Sequence, residues 1–173
     1  MLYTQSNNNV RNGYTIIELI IIIIIVSILG AIAFVKLPVR SKMNLRSATG
    51  RMARDIRYVR NAAITRQQTY GIKFNPGANT YAAYQGNFTY GNIIDNPATG
   101  ESFIVDFSNA YAGIELDSTS LAGDVIQFDS KGIPQDASGL IDVFGQIILY
   151  APDLSQSANI WVMPNTGMVK SEP

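Results

Sequence analysis

The hydrophobic period of this chain changes twice, and each change marks an element. Leu19 to Val35 is an unbroken run without a formal charge, and Ile20 to Ile25 are six isoleucines in succession. With Tyr14 to Ile17 ahead of it and only Glu18 interrupting, the segment reaches the roughly 17–25 residues that cross a bilayer core. β-Branched residues favour strands in water. In hydrocarbon, however, the backbone must satisfy itself within the segment, so the run predicts a transmembrane helix over 14–36. Lys36, Arg40 and Lys42 close it. Leu45, Ala48, Met52, Ile56, Val59 and Ala63 then recur at intervals of three and four, a narrow apolar face at about 100° per residue. They predict that the helix continues as an amphipathic stem over 37–69, with Gly50 its one costly residue, by about 1 kcal/mol relative to Ala.

Beyond Thr69 the period shortens to two. Strands are predicted at 69–74, 80–84, 103–107, 113–116, 124–128, 146–150, 160–163 and 168–170. Between them lie turn-forming stretches: Asn75-Pro76-Gly77-Ala78-Asn79, Asn96-Pro97 through Gly100, Lys131-Gly132-Ile133-Pro134 and Asn165-Thr166-Gly167. One long helix followed by many short strands predicts an α+β fold. Its antiparallel β domain, 70–173, would pack on the apolar face of the stem and share one core with it.

Thirteen basic and thirteen acidic residues balance overall, but not locally. Lys36 to Arg66 holds nine bases and the single acid Asp55, whereas Gln67 to Pro173 holds three lysines and eleven acids. A basic stem therefore lies under an acidic head. Arg46, Arg54, Arg57 and Arg60 fall away from the apolar stripe. Such a face could meet phosphate, anionic lipid or the acidic heads of neighbouring subunits, or simply be solvated.

The costly residue is Glu18. A carboxylate placed in hydrocarbon costs roughly 2.5 to 3.5 kcal/mol on insertion scales, so its retention points to a partner. An ordinary secretory signal, cleaved after Ala31-Ile32-Ala33, is the plain alternative. Its apolar region would normally be about 7–15 residues, shorter than this one, and would not carry an acid at its front edge.

Gly13-Tyr14-Thr15-Ile16-Ile17-Glu18-Leu19 resembles the type IV prepilin signature. The resemblance implies a leader peptide, 1–13, removed after Gly13 by a membrane prepilin peptidase that also N-methylates Tyr14, where the family prefers Phe. It implies that Glu18, fifth in the mature chain, pairs with the N-terminal amine of a neighbouring subunit. Two such charges about 4 Å apart attract far more strongly at low dielectric than in water. Gly30 and Pro38 resemble the pair that lets pilin helices bend or unwind on leaving the membrane, although they lie further from the cleavage site than is usual. The implied partners are other pilins or pseudopilins, the peptidase and N-methyltransferase, inner-membrane lipid and an inner-membrane assembly platform.

A second resemblance covers Ala53 to Phe74, ARDIRYVRNAAITRQQTYGIKF, which is similar to the helix end and first strand of FimT-like and H-type minor pseudopilins. An Ile-x-Phe strand, Gly132 and Ile160-Trp161-Val162-Met163 before Asn165-Thr166-Gly167 follow in similar order. The family implies a pilin-like fold and a subunit of a type II secretion filament, with its head in the periplasm. The alternative is a FimT-like minor pilin of a type IV pilus, with DNA binding for uptake. That activity would want a basic patch near the C-terminus, where this chain offers Lys170 and the acid Glu172, so nucleic acid is not an expected partner.

Histidine and cysteine are both absent. This excludes Ser-His and Cys-His catalysis and the usual His/Cys metal sites, as well as the C-terminal disulfide of many major pilins. No phosphate-cradling glycine loop occurs. Asp124, Asp129, Asp136 and Asp142 lack the tight spacing of a calcium loop. Neither an enzyme nor a cofactor is expected.

Overall fold

The computed structural model describes residues 14–172, without the side chains of 31–39 and Tyr90. The chain divides at Leu37/Pro38 into two compact units. Helix α1, Ile16–Arg66, contributes to both.

In the first unit every described side chain from Tyr14 to Leu29 is exposed, including the isoleucines. Among the described residues no helix is both long and apolar enough to cross a membrane. The part of the 14–36 segment described with side chains ends at Gly30, short of the about 20 residues a bilayer core takes, and the side chains of the rest of the run lie outside the described residues.

In the second unit the stem packs on two antiparallel sheets. The first has the order β3-β2-β1-β5-β6-β7 and the second β10-β9-β8-β4. In chain order the strands are β1 Tyr70–Asn75, β2 Thr80–Gln85, β3 Ile104–Asp106, β4 Glu115–Thr119, β5 Val125–Phe128, β6 Pro134–Asp136, β7 Gly139–Leu140, β8 Gly145–Ala151, β9 Gln156–Val162 and β10 Val169–Glu172. A one-turn helix, α2 Phe107–Ala110, separates β3 from β4. The α+β fold expected from the pattern is the fold observed.

All six residues of the predicted stripe are buried, none more than 4 % exposed. The stripe is wider than predicted, because Thr49, Ala53 and Ala62 are buried too. Thr49 enters the core at no polar cost because its Oγ1 donates to the Leu45 carbonyl at 2.7 Å. Strand β8 alternates strictly, with Gly145, Ile147, Leu149 and Ala151 inward, and β9 turns Ala158, Ile160 and Val162 to the same core.

The helix stops at Arg66, three residues before the predicted end. Gln67 adopts a left-handed conformation at φ 53°, and the Gln68 N–H bonds back to the Ala63 carbonyl at 3.2 Å, the Schellman closure that glycine usually makes. Here the Gln67 side chain compensates by donating to the Ile64 carbonyl at 2.7 Å. Each predicted strand overlaps an observed one, but β6 and β7 were not expected, being three and two residues long with Pro134 at the start.

Candidate assembly site

Of the expected site residues, Gly13 lies outside the described residues and Tyr14 is 73 % exposed. Glu18 is exposed in the first turn of α1. Thr15 starts that helix. Its carbonyl accepts the Glu18 N–H at 3.1 Å and the Leu19 N–H at 3.2 Å, and its Oγ1 accepts the Glu18 N–H at 3.3 Å. Thr15-Ile16-Ile17-Glu18 has the order of a capping box, and an acid so placed meets the positive end of the helix dipole.

Ser27 donates to the Ile23 carbonyl at 2.7 Å, so the hydroxyls of Thr15 and Ser27 are both engaged within the helix. Glu18 is the only charged side chain described between Tyr14 and Gly30, and its carboxylate makes no bond to a described residue. A helix apolar all round, with one carboxyl group at its start that bonds no described residue, can bury that group cheaply only as the neutral acid or by meeting a cation from outside itself. Gly30 is packed by nothing: a Cβ there would meet no atom within 4 Å. The side chain of Pro38 lies outside the described residues.

Within the second unit, the stem is fixed to the head by polar contacts that the sequence pattern hid. Arg57 and Arg60, expected on the solvent side, instead reach across to the head. Arg57 Nη2 donates to the Val169 carbonyl at 2.9 Å, and Arg60 Nε to the Gly132 carbonyl at 3.3 Å. Both residues follow a buried stripe position, Ile56 and Val59, by about 100°, so they flank the stripe and do not oppose it. The Arg60 guanidinium passes between two turns made by Gly132, φ 77°, and Gly167, φ 62°. A Cβ on Gly167 would stand 2.6 Å from the Gly132 carbonyl and 2.8 Å from Arg60 Nε.

Asp55, read from the sequence only as the lone acid of the stem, points inward. The Tyr81 hydroxyl donates to its Oδ2 at 2.6 Å, and Arg51 Nε lies 3.6 Å from the same oxygen. Desolvation raises the Asp55 carboxyl above its ordinary value, against the lowering effects of Tyr81 and Arg51. Desolvation and the Asp55 charge also push the Tyr81 phenol well up. The spacing Ala48, Met52, Asp55, Val59 was the available signal, for it places the acid on the core side.

Asn79 ties the two sheets together. It sits left-handed at φ 56° at the end of the Asn75–Asn79 turn. Its Nδ2 donates to the Ile114 carbonyl at 3.0 Å and to Ser108 Oγ at 3.2 Å, while its Oδ1 accepts the Leu116 N–H at 2.7 Å. The acids considered for calcium serve their own turns. Asp129 Oδ1 accepts the Lys131 and Ile133 N–H groups, and Asp124 accepts from Thr119. Asp136 accepts from Ala122 and Ser138. Among the described residues no cluster could hold a metal ion.

Comparison with known proteins places this geometry. The family described as type II transport protein GspH matches residues 48–159, most of the stem and head together. The chain belongs to that family. The prokaryotic N-terminal methylation motif matches residues 8–34, the stretch that carries Glu18 and its capped helix start. No curated protein matches the sequence. Among solved structures, the fold is similar to the minor pseudopilin EpsH from the type 2 secretion system of Vibrio cholerae, with TM-score 0.55 at 11 % identity over 75 % of this chain and 96 % of that one. It is also similar to the type IV minor pilin FimU of Pseudomonas aeruginosa, with TM-score 0.53 at 13 % identity over 76 % and 90 %. At these identities the likeness is one of fold. This GspH-family member thus has a pilin-like fold, a stem helix under a two-sheet head.

Proposed function

We propose that the chain is a minor pseudopilin of a type II secretion filament. In this reading the precursor is cut after Gly13 and methylated on Tyr14. Helix 14–36 holds it in the inner membrane with its head in the periplasm, and the subunit then enters a filament that helps drive proteins across the outer membrane. Its role is structural and not enzymatic. One observation carries the reading: a methylation motif lies over a helix whose only charged described side chain before Arg40, Glu18, finds no partner among the described residues. Cleavage would create the missing cation, an amine on Tyr14 one helical turn from Glu18 in sequence, and in a filament a neighbour's amine becomes available. Gly30 and Pro38 would supply the give that this helix needs on leaving the bilayer.

The test is Glu18→Ala. The variant should still lose its leader but be missing from the filament fraction, and normal incorporation would overturn the register role. A second reading, a minor pilin of a type IV pilus, is favoured by the FimU likeness. Recovery of the subunit from sheared surface pili, and not from the secretion filament, would select it. DNA uptake is not favoured, because two of the four stem arginines considered for it, Arg57 and Arg60, already bond the head. A gel-shift with the full chain in detergent should show no salt-sensitive complex.

A further inference from the structure

One groove of the second unit collects positive charge with nothing to balance it. Its volume is about 430 Å³, and it is lined by Lys42, Leu45 and Arg46 of α1 and by Gln156 and Ser157 at the start of β9. Strand β10 pairs with β9 only over 159–162, so it stops short of the two residues that line the groove. Lys42 and Arg46 stand one turn apart on the same side of α1, a spacing that costs helix stability when both residues are cations. Both are exposed, and among the described residues neither has an ion pair or a hydrogen bond. No acid occurs in the chain between Glu18 and Asp55. Asp153, the acid closest in sequence to Gln156, forms no ion pair with them, and its Oδ2 accepts from Ser41 Oγ at 3.3 Å. Two unbalanced cations beside a groove suit an anion from outside the chain. Gln156 and Ser157 add groups that both donate and accept, which suits an anion that also carries hydroxyls.

The place of the groove along the chain selects that anion. The apolar run ends at Val35, and Lys42 follows it by seven residues, about 10 Å of helix. Side chains on a helix lean toward its N-terminus, here toward the apolar run. If the run fills a bilayer core, the headgroup layer beyond it is about 5 to 8 Å deep. Lys42 then reaches into that layer, and Arg46 stands one turn above it. Juxtamembrane cations of this kind attract anionic lipid.

We propose that the groove binds the headgroup of an anionic phospholipid, with its phosphate between Lys42 and Arg46 and its glycerol hydroxyls on Gln156 and Ser157. The site rests on the membrane reading of 14–36 and gives that reading a specific lipid contact. A subunit entering a filament leaves the bilayer and so vacates the groove.

Native mass spectrometry of the full chain in detergent micelles tests the site, with phosphatidylglycerol and phosphatidylcholine of equal acyl length offered together. Phosphatidylglycerol should be retained about tenfold over phosphatidylcholine. Lys42→Gln with Arg46→Gln should bring the two lipids to parity. Arg54→Gln with Lys131→Gln, which removes the same charge elsewhere, should leave the preference intact. Gln156→Ala with Ser157→Ala should lower retention of phosphatidylglycerol but not of phosphatidic acid, which has no glycerol hydroxyls. That last pair leaves the charge untouched and so separates a groove from a merely cationic stem. All six side chains are exposed, so the variants should fold as the wild type does. Four results would overturn the proposal: no lipid preference in the wild type, equal loss in the charge control, displacement of the lipid by inorganic phosphate, or its displacement by a glutamate-rich peptide. Leader cleavage and filament entry are scored separately. With both normal, lipid parity in the wild type removes this site alone, whereas their failure removes the filament reading whatever the lipids show.

Discussion

At the scale of single residues, the head depends on a few polar side chains placed where the chain changes direction. Asn79 makes three side-chain bonds, two to the Ile114–Leu116 stretch that enters the second sheet and one to Ser108 of α2, each worth about 0.5 to 1.5 kcal/mol, from a left-handed backbone that other residues adopt at a cost. Asn79→Ala should therefore lower stability by about 3 kcal/mol, read from denaturant unfolding in micelles through the fluorescence of the single tryptophan, Trp161. Gly167→Ala should cost about 2 kcal/mol or more, because its Cβ has no space between Arg60 and the Gly132 carbonyl. Asp55 predicts a pH dependence of particular sign. Its folded pKa is raised above 3.8 by burial, so the folded state binds this proton more tightly than the unfolded chain does. Stability from this group is highest below the unfolded value and falls as pH rises through the folded one. The difference between wild type and Asp55→Asn, which keeps an acceptor for Tyr81, should fall across that window and be flat above it. Asp136 has the opposite sign. Hydrogen bonds from Ser138 and from backbone N–H groups outweigh its desolvation and lower its pKa, so its contribution is lost as pH falls.

At the scale of elements, legibility followed the range of the interactions. The stem could be read because a 3.6-residue period is local, and Leu45 through Ala63 are buried as that period requires. The strands around Ile72, Ile126, Ile147 and Ile160 were legible from alternation and flanking turns. The end of α1 was not, since Gln67 takes a left-handed turn without being glycine and supports it with its own amide. β6 and β7 are too short to show a period. The inward direction of Asp55 and the reach of Arg57 and Arg60 depend on strands more than twenty residues away in sequence. The start of α1 was legible as a motif, but the part played by Thr15 was not. Thr15→Val should remove the Oγ1 cap at a cost of about 1 kcal/mol to the first turn. Amide exchange at Glu18 and Leu19 in micelles should then quicken several-fold, with the head unchanged.

At the scale of the whole chain, uneven charge and uneven hydrophobicity serve one purpose in this account. The family match over 48–159 and the methylation motif over 8–34 cover the stem with its head and the apolar helix start, and Glu18 lies where the motif and the unpartnered helix overlap. On the proposed reading, the subunit should be inert until its leader is removed, because cleavage would create the N-terminal amine proposed to meet Glu18. The most direct measurement is the intact mass and N-terminal sequence of the chain purified from membranes of cells that express the whole secretion machinery. The mature chain should begin at Tyr14 and be heavier by one methyl group on its amine. A chain beginning at Phe34, as an ordinary secretory signal would leave, or one retaining residues 1–13 in assembled filaments, would contradict it.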